Sequence, residues 1–191
     1  MIEADRYLQP GVWSDHPDFQ FAGREYSTPE IAMVNDIRED ISHFLRYSLF
    51  LVSFRNMSLS LEKKSYYTSL IHGLCNQLNN VCIVEPTEAV PYYRFKNYMD
   101  GCYGWFRYND KTGKGYGPYQ LSSGLTVGWA AFLGKNEGLH EMYEYTYNKM
   151  PFDNLGKEVD KEPVSTRERN PVFISPEYRK LLVGLASRLT R

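Results

Sequence analysis

Apolar positions recur at alternating spacings of three and four along two consecutive stretches. Val34, Ile37, Ile41, Phe44, Ser48 and Leu51 make one stripe, and Tyr67, Ile71, Leu74, Leu78 and Val81 make another. That spacing puts every member of a stripe on one face of an α-helix. The first helix is predicted to open at Ser27-Thr28-Pro29-Glu30. Thr28 can cap it, Pro29 suits its first turn, and Glu30 meets the positive end of the dipole. It runs to about Ser53, with Asp36, Glu39, Asp40 and Arg46 on the opposite face. The second helix opens at Ser60. The short connection between them has the length that joins antiparallel neighbours, so residues 28–81 are expected to form a helical hairpin.

A third stripe, Tyr178, Leu181, Leu182, Leu185 and Leu189, follows Ser175-Pro176-Glu177 and predicts a C-terminal helix within 173–191. Weaker patterns fill the middle. Residues 81–84 read as a short strand and 92–99 as a helical turn or two. Ser122-Ser123 can cap a helix that carries Leu125, Trp129, Ala130 and Leu133 on one side and ends at Gly134. Residues 138–150 read as a further helix with Met142, Tyr145 and Met150 inward. Two segments lack periodicity: an irregular aromatic-rich stretch at 1–27 and a long polar loop at 151–172.

The stretch DGCYGWFRYNDKTGKGYGPYQ, residues 100–120, alternates differently. Asp110-Lys111-Thr112-Gly113 fits a type I turn followed by a left-handed glycine. That register sets Asp110 opposite Lys114, Tyr108 opposite Tyr116, Phe106 opposite Pro118 and Trp105 opposite Tyr119. Period two then gathers Tyr103, Trp105, Arg107 and Tyr119 on one face. The expected fold is a single domain over 1–191, mainly α (α+β): a helical hairpin and further helices in an irregular bundle, with one β-hairpin near 103–120.

Composition narrows the classes. The chain has 191 residues, 42% hydrophobic and 24% charged, with a formal net charge of -1, as in ordinary globular domains. It carries no basic footprint, so no nucleic-acid partner is expected. The thiols Cys75, Cys82 and Cys102 match no zinc spacing and predict free cysteines in a reducing cytoplasm. The opening residues lack the pattern of a secretory signal, and the most apolar stretch, 47–54, is far too short to span a bilayer. A cytoplasmic protein with no membrane partner is the expectation.

Candidate chemistry is sparse. His72 and Cys75 lie three apart on one helix and could share a metal, but spacing places no further ligand; no metal and no cofactor are expected. Cys102 lacks a neighbouring base. Gly113-Lys114-Gly115 is a fragment of a phosphate loop without its remainder. Asp100 and Glu141 are the weak catalytic candidates, as a carboxylate pair if the β-hairpin lines a cleft. The alternative reading of the glutamates 137, 141 and 144 is a solvated helix face. The aromatic face of Tyr103, Trp105, Arg107 and Tyr119 is the strongest binding candidate, since aromatic and Arg anchors dominate protein interfaces. It can instead be covered by the N-terminal aromatics. The expected function is a non-enzymatic cytosolic protein-binding module of the adaptor, inhibitor, immunity or assembly-factor type. The alternative is a glycan- or cell-wall-acting enzyme, with a glycan as the second candidate partner.

Overall fold

A computed structural model describes residues 39–88, 90–101, 106–109, 114–116, 119–154 and 175–191. It is mostly helical, with a small β-hairpin. Helix α1 (Ile41–Met57) and helix α2 (Leu61–Gln77) form the expected antiparallel hairpin. The inner stripes agree with the sequence: Ile41, Phe44, Ser48 and Leu51 are buried on α1, and Ile71, Leu74 and Leu78 on or just after α2. Ser60 caps α2 by accepting the Lys63 N–H.

The start of the first helix differs. Residues 27–38, with the predicted Thr28 cap, lie outside the described residues. Asp40, expected on the outer face of an unbroken helix, has extended backbone (φ -75°, ψ 154°) and is itself the cap. Its carboxylate accepts the N–H groups of Ser42 at 3.0 Å and His43 at 3.2 Å, satisfying donors that a helix start leaves open. Asp40 also bridges antiparallel to Tyr98, and Glu39 O accepts the Met99 N–H. The helix begins here because the preceding backbone is engaged by residues 97–99.

After α2 the chain makes one π turn, Leu78–Cys82, and enters strand β1 (Ile83–Val84). Residues 92–99, read above as helical, instead supply strand β2 (Arg94–Phe95), which pairs antiparallel with β1. Long-range bonds override the local pattern. Ser122 Oγ accepts the Phe95 N–H at 2.8 Å and donates to Phe95 O at 3.3 Å. Ser122 is thereby buried as a clamp, where a helix cap was expected.

Strands β3 (Phe106–Asn109) and β4 (Lys114–Tyr116) form the second hairpin. Its register is shifted from the expected one. Phe106 pairs with Tyr116 and not with Pro118, and Asn109 pairs with Lys114, with an irregularity between the two pairs. Such a bulge places an extra residue on one strand, so period two counted from the turn does not carry through.

The predicted helix after Ser122 is two 3-10 segments, Gln120–Val127 and Trp129–Leu133, separated by Gly128 in the left-handed region (φ 71°). Gly128 has a packing reason as well: a Cβ there would lie 3.1 Å from Leu182 O and 3.2 Å from Ala186 Cβ. Helix α3 (Glu137–Lys149) is capped by Asn136 and buries Leu139, Met142, Tyr143 and Thr146. Helix α4 (Pro176–Thr190) is capped by Ser175 and packs along α3. Asn136 joins three elements: its N–H bonds Thr190 O, and its side-chain oxygen accepts from Asn79 and from Leu139 N–H.

The orientation of α4 corrects the sequence reading. Its buried residues are Arg179, Val183, Ala186 and Thr190. Leu181 (57%), Leu185 (45%) and Leu189 (57%), expected inward, are exposed. The close approach of the Gly128 backbone requires a small side chain at Ala186, and that contact turns the leucine row outward.

Candidate functional site

Two of the outward leucines, Leu181 and Leu185, border a groove between α3 and α4 of about 620 Å³. Tyr147, Leu181, Gly184 and Leu185 are its apolar part. Gly184 lets the Tyr147 ring come close, since a Cβ at 184 would sit 3.0 Å from it. Lys180 Nζ lies 5.5 Å from the Tyr147 ring centroid, within cation–π range. Arg188 and Glu144 also line it. His140 is held by Ser187 O, 2.9 Å from Nδ1, which fixes the proton on that nitrogen. The groove thus joins an apolar part to charged side chains, among them Glu177, Lys180 and Arg191, a combination that suits an amphipathic helix.

A second cleft, about 470 Å³, opens between α2 and the turn before α3. His72 and Cys75 line it with Arg55, Lys135 and Asn136. Among the described residues, no group of three or more His, Cys, Asp or Glu could hold a metal ion. Burial pushes the Cys75 thiol up to about 11 and the Cys82 thiol to about 12. Both are therefore neutral thiols at physiological pH and poor nucleophiles.

A third feature is the end of the α1–α2 hairpin. From Ser53 to Tyr66 no residue is buried. The hairpin overhangs the core by about six residues on each arm, roughly 9 Å at 1.5 Å per residue. Met57 (77%), Leu59 (101%) and Leu61 (82%) are the most exposed large apolar side chains described. Behind them runs a line of ring contacts from the core: Phe44 on Tyr47 at 4.5 Å, Tyr47 on Phe50, Phe50 on Phe54, and Phe54 on Tyr67 at 5.6 Å.

The residues singled out by sequence do not come together as a described site. Tyr103 and Trp105 lie outside the described residues. Arg107 is on β3. Tyr119 is half-buried, in the left-handed region at φ 64°, with the Arg94 guanidinium 4.4 Å from its ring centroid. Asp100 and Glu141 are both exposed and border neither of the two clefts described above. Glu137, Glu141 and Glu144 form an exposed row on α3, as the solvated-face reading has it.

One signal for an exposed surface was present in the chain. Met57-Ser58-Leu59-Ser60-Leu61 puts three large apolar residues on a tight connection, where polar residues are usual. No helix among the described residues is long and apolar enough to cross a membrane. No protein-family model, curated protein or solved structure matches the chain.

Proposed function

We propose that this chain is a non-enzymatic protein-binding module that seats a partner's amphipathic helix in the groove between α3 and α4. The observation that carries the reading is the leucine row of α4. Leu181, Leu185 and Leu189 recur every four residues on an outward helix face, and the first two line an open groove. Such a row costs solubility unless it is covered when the protein works. The aromatic hairpin residues Tyr103, Trp105, Arg107 and Tyr119 remain a second anchor in this reading.

The test uses a photo-crosslinking residue at position 185 and another at the exposed control position Lys149, each in the full chain. Proteins trapped at 185 and not at 149 are identified and titrated against wild type and a Leu181→Glu/Leu185→Glu double variant. The reading expects a partner that the double variant loses at least about a hundredfold, as two desolvated leucine anchors imply. The melting temperature should be nearly unchanged, because neither side chain is in the core. Equal trapping at both positions sinks it.

A further inference from the structure

The overhanging end of the α1–α2 hairpin joins three properties that are independent of the groove. Its apolar side chains are convex, on the point of a projection: Leu59 at the turn is as exposed as an isolated residue. Several polar groups of its two serines are bonded within the tip. Ser58 donates both its N–H, at 3.0 Å, and its hydroxyl, at 2.6 Å, to Phe54 O. Ser60 accepts Lys63 N–H on its hydroxyl and Lys64 N–H on its carbonyl. These bonds lower the cost of taking the two serines into a low dielectric. Its charge is also distinct. Within 52–66 the chain has Arg55, Lys63 and Lys64 against the single carboxylate Glu62, although the whole chain carries -1.

We propose that this end inserts into the interface of an anionic lipid bilayer, with Met57, Leu59 and Leu61 among the upper acyl chains and Lys63 and Lys64 at the headgroups. The dimensions agree: the overhang of roughly 9 Å matches the depth of about 5–10 Å to which interfacial apolar groups are buried. The charge sign agrees as well, since basic residues beside an inserted apolar element add attraction to anionic lipid. The absence of a spanning segment, which led to the expectation of no membrane partner, does not bear on interfacial insertion.

Sedimentation of the full chain with vesicles tests this. One set is phosphatidylcholine alone and the other is phosphatidylcholine mixed with phosphatidylserine. Wild type should sediment with the mixed vesicles and far less with the neutral ones, and added salt should release it. Leu59→Asp should weaken binding at least about tenfold with unchanged circular dichroism, because position 59 touches no core. Lys63→Glu/Lys64→Glu should abolish the preference for phosphatidylserine. A Leu59→Trp variant should be quenched by brominated lipid, and Leu181→Glu/Leu185→Glu should bind vesicles as wild type does. Wild type remaining in solution with both vesicle sets overturns the proposal, as does equal binding by Leu59→Asp. Leu59-dependent self-association without vesicle binding also overturns it and makes the tip a protein interface.

Discussion

The phenol of Tyr143 accepts the Ala130 N–H at 3.2 Å, and neither residue has access to water. This bond ties α3 to the second 3-10 segment, whose short hydrogen-bonded run leaves donors that need partners. Burial pushes the phenol's pKa up, so it remains neutral at any ordinary pH. Tyr143→Phe keeps the ring and strands the amide. The expected loss is about 1–3 kcal/mol, read as a lower urea midpoint with an unchanged slope. A midpoint equal to wild type refutes this account of the contact.

Two glycines should respond to alanine with opposite signs. Gly128 is left-handed and faces Leu182 O and Ala186 Cβ, so Gly128→Ala should cost about 1–3 kcal/mol. Gly73 lies inside α2, and a Cβ there would meet nothing within 4 Å. Gly73→Ala should gain about 0.5–1 kcal/mol from helix propensity alone. Thermal melts of the two variants compare them directly, and the same sign for both contradicts the packing described at Gly128.

The buried thiols give a kinetic readout. In a Cys102→Ser background, Cys75 and Cys82 should resist alkylation at neutral pH. Cys82 is fully buried beside Met99, with its pKa held at about 12 by burial. Labelling of Cys82 should track denaturant concentration in the manner of global opening. Rapid labelling in native buffer would place Cys82 in a segment that opens locally.

Glu39 links the start of α1 to pH. Burial raises its pKa, a hydrogen bond with Tyr47 opposes this, and the Asp40 carboxylate adds to the rise. A carboxyl with a raised native pKa binds its proton more tightly when folded, so its contribution to stability is present at low pH and is lost as pH rises through the native value. Glu39→Gln removes that loss. The stability of the variant relative to wild type should therefore increase from roughly pH 4 to pH 7. A constant difference across urea titrations in that window rules out the assignment.

The helical hairpin was legible because its two stripes are long and the cap of its second helix is local. Ile41, Phe44, Ser48 and Leu51 needed only spacing, and Ser60 only its place before an apolar run. What was not legible depends on contacts distant in sequence. Phe95 pairs with Ile83 and is clamped by Ser122, 27 residues further on, so residues 92–99 abandon their helical pattern. The leucines of α4 satisfy helical spacing as well inward as outward. Only the approach of Gly128 decides, and spacing carries no trace of that approach. The groove was hidden for the same reason, since exposure of Leu185 is a property of what does not pack on it, whereas the apolar connection at 57–61 could be read from the chain.

The two helical pairs differ in how much chain must be gathered to make them. Three residues, 58–60, join α1 to α2, whereas 26 residues, 150–175, separate α3 from α4. Loop-closure entropy grows with the logarithm of length, which sets the second pairing back by about 2 kcal/mol relative to the first. The α1–α2 pair is also complete long before α4 leaves the ribosome. The apolar overhang is thus on display from an earlier stage of synthesis, while the α3–α4 groove comes into being only after α4 has emerged. Partner capture in that groove would report a chain whose α4 has docked on α3.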